Sequence, residues 1–162
     1  MSRHILSVLV ENHSGVLSKI AGLFSRRGYN IDSLTVGITE DPTISRMTIV
    51  VRGDDYILEQ ITKQLNKLVD VIKIIELDPS KSVYRELALV KVSCLPNNRS
   101  LITETVNIFR GNIVDINNKS MTIEVTGDDE KITAFIELMK PYGIREIIRT
   151  GLTALERGNK CI

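Results

Sequence analysis

The chain has 162 residues, of which 43% are hydrophobic and 25% charged, and a formal net charge of +1. This is the composition of a globular protein that can bury one core or two small ones, and it excludes a disordered chain. The near-zero charge leaves no footprint for nucleic acid or an anionic membrane, and 4% aromatics with no tryptophan leave few platforms for stacking bases.

The first half predicts strand, helix, strand, strand, helix, strand. "HILSVLV" is rich in aliphatic and β-branched residues and reads as a strand. From Gly15 to Arg27, Val16, Leu17, Ile20, Leu23 and Phe24 recur at helical spacing. "NIDSLTVGI" alternates Leu34, Val36 and Ile38, "EDPT" is turn chemistry, and "SRMTIVVR" alternates Met47, Ile49 and Val51. Ile57, Ile61, Leu65 and Leu68 mark a second helix, "VIKIIEL" closes the unit, and Asp78 to Ser82 reads as a linker.

The second half repeats this order. "YRELALVKVSC" is a strand, and Leu101, Ile102, Val106 and Phe109 fall on a helix from Arg99 to Arg110. "GNIVDIN" and "SMTIEVT" are strands, Ile132, Phe135, Ile136 and Met139 mark a helix from Asp128 to Lys140, and "IREIIRT" ends the pattern. "MTIVVRGDD" from Met47 returns as "MTIEVTGDD" from Met121, an offset of 121 − 47 = 74 residues. Each "GDD" is a turn carrying an Asp suited to cap the next helix. The expected fold is α+β, two tandem ferredoxin-like βαββαβ domains over residues 1–77 and 83–162.

Much chemistry is missing. Cys94 and Cys161 form no C-x-x-C, which suits a reducing compartment. "MSRH" leads straight into an apolar run too short for a signal peptide, and no run approaches a membrane span. The expected location is cytoplasmic, or a plastid stroma for an organelle-encoded chain. His4 and His13 flank one strand without metal-ligand spacing and read as exposed polar side chains, so no metal site is expected. There is no P-loop, G-x-S-x-G or G-x-G-x-x-G, and no nucleophile–base pair. RNA-binding domains of this fold need aromatic residues on the central strands, where this chain has Met, Thr, Ile and Val. An acylphosphatase-like enzyme needs an Arg at an anion-binding loop, whereas Arg26 and Arg27 lie at the far end of the first helix.

The stretch "ENHSGVLSKIAGLFSRRGYNI" holds Asn12 and Asn30, each close to a glycine. Both are compatible with ordinary turn and cap chemistry. They also suit a binding site. A helix N-terminus presents unpaired N–H groups and a partial positive charge to a carboxylate, and Gly15 lets a ligand reach the backbone. The intervening helix is about 18 Å long at 1.5 Å per residue, so one subunit cannot put both asparagines on one small ligand. Two subunits packed antiparallel can, with two equivalent sites per dimer.

"ILSVLVENHSGVLSKIAGLFSRRGYNIDSLTV" resembles an ACT domain, an amino-acid-binding regulatory module. With "ITEDPTISRMTIVV", "RELALVKV", "IFRGNIVDI" and "RTGLTALERG", nearly the whole chain resembles the small regulatory subunit of acetolactate synthase, also called acetohydroxyacid synthase. The resemblance implies a non-catalytic chain with no cofactor of its own. It implies a large catalytic partner that uses thiamine diphosphate, Mg²⁺ and FAD to make acetolactate on the route to valine, leucine and isoleucine. It further implies a homodimer through the ACT domain, activation of that partner, and feedback by valine or another branched-chain amino acid. A free-standing amino-acid sensor for another enzyme is the alternative. The expected effector-binding residues are Asn12, Ser14, Gly15, Val16, Leu17, Asn30, Ile31 and Val36. The asparagines meet the ammonium and carboxylate ends, the N–H groups near Gly15 and Val16 take the carboxylate, and Val16, Leu17 and Val36 meet the aliphatic side chain.

Overall fold

The computed structural model describes residues 2–162, which form two compact units. The first comprises the chain as far as Val83 together with Leu152–Ile162, and the second is Tyr84–Gly151.

In the first unit the elements are β1 (Ser2–Glu11), α1 (Val16–Arg27), β2 (Ile31–Ile38), β3 (Ile44–Gly53), α2 (Asp55–Leu65) and β4 (Val71–Glu76). The strands pair antiparallel in the order β2-β3-β1-β4, the ferredoxin-like arrangement, with β2 and β4 at the edges. Alternation decides what is buried. Leu6, Val8 and Val10 of β1 and Met47, Ile49 and Val51 of β3 turn toward Val16, Ile20, Leu23 and Phe24 of α1 and Ile61 and Leu65 of α2. Gly28 ends α1 at φ 69°, where the Gly28 and Tyr29 N–H groups close on the Ser25 and Phe24 carbonyls. The Asp54 carboxylate accepts the Ile57 N–H at 2.9 Å and caps α2.

The intervening β1 and β3 side chains face away from the helices, yet Ile5 and Val50 are buried, as are Leu77, Leu152 and Ala154. The returning segment is tied to the same unit by hydrogen bonds. The Leu152 N–H donates to Ser33 Oγ at 2.8 Å, the Thr35 hydroxyl donates to the Leu152 carbonyl, and the Arg157 N–H donates to the Lys81 carbonyl at 2.7 Å. A short strand, β9 (Thr153–Glu156), lies within this segment. Residues 152–162, placed with the second domain on sequence, therefore pack with the first. The reason is that the outer sheet face carries apolar side chains that need cover.

The second unit repeats the scheme with β5 (Ser82–Ser93, beginning two residues before the unit), α3 (Arg99–Ile108), β6 (Asn112–Ile116), β7 (Ser120–Gly127), α4 (Asp129–Met139) and β8 (Ile144–Arg149). The strands run β6-β7-β5-β8. Val90, Val92, Met121 and Ile123 pack on Ile102, Val106, Ile132 and Phe135, and Phe109 meets Phe135 edge-on at 5.4 Å. Cys94 is buried in this core and Cys161 is exposed. Asp128 caps α4 by accepting the Lys131 N–H at 2.9 Å, which repeats Asp54 in the first unit. Among the described residues no helix is long and apolar enough to cross a membrane.

Candidate functional site

The link from β1 to α1 is built around Gly15. It sits at the helix N-cap position with φ 89° and ψ −15°, a left-handed conformation that favours glycine. No side chain caps the helix and its first turn carries no acidic residue. The first N–H groups of the helix are therefore not met by a capping side chain. A Cβ on Gly15 would meet nothing within 4 Å, so the space before the helix is open. A helix N-terminus without a capping side chain suits an anion.

Asn12 is held beside it. Its N–H donates to the Thr43 carbonyl at 2.7 Å and its side-chain Nδ2 to the Pro42 carbonyl at 2.8 Å. The "EDPT" turn that supplies these carbonyls is locked by Asp41, whose Oδ1 accepts the Thr43 N–H at 2.9 Å and the Thr43 hydroxyl at 2.7 Å. Those two bonds, the hydroxyl's first, hold the Asp41 pKa below its ordinary value. With Nδ2 engaged, the Asn12 amide oxygen remains as an acceptor for an ammonium group.

Asn30 lies at the other end of the sheet. Glu11, next to Asn12, pairs with Ile44, whereas Ile31, next to Asn30, pairs with Val51. Seven residues of β3 separate the two levels, roughly 23 Å at 3.3 Å per residue. Within one chain the asparagines do not meet. The Asn30 Nδ2 donates to Asp32 Oδ1 at 3.0 Å, and Asp32 Oδ2 takes the Arg52 Nε at 2.5 Å.

The apolar residues divide. Leu17 and Val36 are each 46% exposed and can meet a ligand. Val16 is 3% exposed and its side chain belongs to the core, so it can offer a ligand its backbone N–H but not its methyl groups. Ile31 is half-buried against the same core, and Ser14 is exposed in the turn. Nothing within one chain brings Leu17 and Val36 together with Asn30.

Of the two histidines read as exposed, His13 is exposed and His4 is not. His4 is buried and its Nδ1 lies 2.7 Å from Glu76 Oε1. His13 stands among carboxylates: its Nε2 is 2.8 Å from Asp70 Oδ1 and 3.3 Å from Glu11 Oε2. The ligand atoms of Glu11, His13 and Asp70 lie within 4.8 Å of one another, close enough to hold a metal ion. Asp70, however, already has a cation, the Lys19 ammonium at 2.8 Å from Oδ2. Asp70 is 57 residues from His13, and no local pattern marks the pair.

Residues 6–73 match the family described as AHAS small subunit-like ACT domain, and residues 85–158 match the small subunit of acetolactate synthase. The chain is 57% identical over 158 residues to the probable acetolactate synthase small subunit of Methanothermobacter thermautotrophicus, covering 97% of this chain and 94% of that one. The chain belongs to the acetolactate synthase small-subunit family. The small subunit of Haemophilus influenzae is 50% identical over 161 residues, covering 99% of each chain. The crystal structure of the Thermotoga maritima small subunit superimposes with a TM-score of 0.92 at 45% identity, covering 99% of this chain and all of that one. In this family the β1–α1 turn described above belongs to the ACT domain, and the chain's role is that of a regulatory subunit.

Proposed function

We propose that this chain binds the large catalytic subunit of acetolactate synthase, raises its activity, and makes it sensitive to valine or another branched-chain amino acid. Thiamine diphosphate, Mg²⁺ and FAD belong to that partner, which condenses pyruvate with a second 2-oxo acid. The location that goes with this reading is the cytoplasm. The observation that carries the effector part is the uncapped N-terminus of α1 at Gly15, with Asn12 beside it and open space in front.

The effector site is completed by a second copy. β2 is an edge strand of eight residues whose outer backbone groups pair with nothing in the sheet, a ready template for another strand. Two copies joined antiparallel through β2 bring the Asn12 end of one to the Asn30 end of the other. Each of the two sites then takes the Asn12–Gly15 turn from one subunit and Asn30 from its partner. The carboxylate sits at the N–H groups of α1, the ammonium meets asparagine oxygens, and Leu17 and Val36 are placed to contact the aliphatic side chain. Feedback follows if the amino acid binds the less active arrangement of the complex more tightly than the active one.

Reconstitution tests this. The chain alone, supplied with pyruvate, thiamine diphosphate, Mg²⁺ and FAD, is expected to make no acetolactate. Added to the catalytic subunit it is expected to raise turnover and confer inhibition by valine, leucine or isoleucine. Turnover by the chain alone, or failure to bind and stimulate the catalytic subunit, would overturn the proposal. In the second case a free-standing sensor becomes the better reading.

A further inference from the structure

Both ring nitrogens of His13 face oxygen. Nδ1 lies 3.1 Å from the Ser14 carbonyl oxygen, while Nε2 lies 2.8 Å from Asp70 Oδ1 and 3.3 Å from Glu11 Oε2. A carbonyl and two carboxylates only accept hydrogen bonds, whereas a neutral imidazole carries one N–H and one lone pair. Neutral His13 would therefore set a lone pair against oxygen on one side, and only the imidazolium satisfies both. The far end of this contact is anchored. Asp70 is buried, its second oxygen takes the Lys19 ammonium of α1 at 2.8 Å, and its backbone carbonyl accepts the Glu11 N–H at 2.9 Å.

The near end bears on the effector turn. The Ser14 carbonyl and the Gly15 N–H are two ends of one planar peptide and point in opposite directions. A donor fixed on that carbonyl orients and polarises the N–H on the far side, at the open mouth of α1. We propose that His13, as imidazolium, is a positioning residue of the effector site: it holds the Ser14–Gly15 peptide with its N–H toward the effector carboxylate, so that effector binding and protonation of His13 are coupled. This rests on the effector reading given above.

The charged groups facing His13 are Glu11 from β1 and Asp70 ahead of β4, with Lys19 of α1 acting through Asp70. The His13 pKa is raised above its ordinary 6.5, chiefly by the bond to the Ser14 carbonyl and then by Asp70. A raised pKa means that the contact is complete below pH 6.5 and is lost as the pH climbs through the higher folded value. The Asp70 pKa is lowered, first by Lys19, so the carboxylate stays ionised throughout that range. Coupling is reciprocal: effector binding must raise the His13 pKa further and take up protons near neutral pH.

The test is calorimetric titration of the full-length chain with valine, leucine and isoleucine between about pH 5.5 and 8.5, in buffers of different ionisation enthalpy. Wild type is expected to lose affinity several-fold as the pH rises, up to about tenfold for each unit by which the effector shifts the His13 pKa, and to take up protons on binding. His13→Gln keeps a donor but cannot titrate, and is expected to bind with flat affinity and no proton uptake. Affinity in the wild type that does not change with pH, or proton uptake that survives in His13→Gln, overturns the coupling while leaving the effector site intact. Absence of binding at every pH removes the effector reading itself. An NMR titration of the ligand-free chain, which has only two histidines, checks the latch independently: a His13 pKa at or below the ordinary value overturns it.

Discussion

Leu152 is hydrogen-bonded to β2 through both its backbone groups, its N–H to Ser33 Oγ and its carbonyl from the Thr35 hydroxyl. The last eleven residues are thus part of the first unit's architecture, and they attach to the strand that begins just after Asn30. Leu152 itself is 3% exposed.

Leu152→Ala should consequently destabilise the protein by about 2–4 kcal/mol, the range for removing a buried leucine where the surroundings relax only partly. Chemical denaturation of the full chain measures it. A loss under about 0.5 kcal/mol, the scale of a surface substitution, would show that the tail covers nothing of consequence. A chain cut after Asp78 lacks residues 152–162, which belong to the first unit, and is expected to be less stable than the full chain or to aggregate.

Gly15→Asp should fold and lose the effector. A left-handed residue other than glycine costs about 1–2 kcal/mol, least for Asp and Asn. A carboxylate at a helix N-terminus returns about 0.3–1 kcal/mol. The new side chain meets no steric obstacle, but it occupies and charges the space that the proposed effector's carboxylate would take. Thermal unfolding is expected to move by a few degrees at most, with amino-acid binding abolished and stimulation of the catalytic subunit retained.

Mixed dimers test whether the site is shared. A dimer of one Gly15→Asp chain and one Asn30→Ala chain puts both lesions in one site and leaves the other whole. One normal binding event per dimer is expected, against none in the Gly15→Asp homodimer and weakened binding in the Asn30→Ala homodimer. A folded mixed dimer that binds nothing contradicts the cross-subunit arrangement.

In the second unit, Glu86 is 6% exposed and is held in a fork by Arg149, Nε to Oε1 at 2.7 Å and Nη2 to Oε2 at 2.8 Å. Arg149 also reaches Asp129 at 2.7 Å, and its pKa is raised, first by Glu86. Arg149→Ala leaves a buried carboxylate without its cation and is expected to cost about 2–3 kcal/mol. The double substitution Arg149→Met with Glu86→Leu is expected to restore most of that. A double-mutant cycle by denaturant unfolding measures the coupling, and additive losses would rule it out.

The features legible in the sequence are those whose physics is local. Apolar residues at strand and helix spacing state which face of each element is buried, and the 74-residue repeat states that the pattern occurs twice. "GDD" announces both helix caps because a cap acts three residues away, from Asp54 to Ile57 and from Asp128 to Lys131. The Gly15 turn is legible for the same reason, since a helix start and a glycine are neighbours in the chain. Tertiary structure alone decided the rest. His13 meets Asp70 only because β1 and β4 lie side by side, and nothing in "ENHSG" records that adjacency. Val16 has helical spacing like Leu17, but only the packed sheet tells which of them faces inward. Leu152 reaches Ser33 across 119 residues because the outer face of the first sheet has apolar side chains to cover, a demand set by burial in the folded state and invisible to any window of sequence.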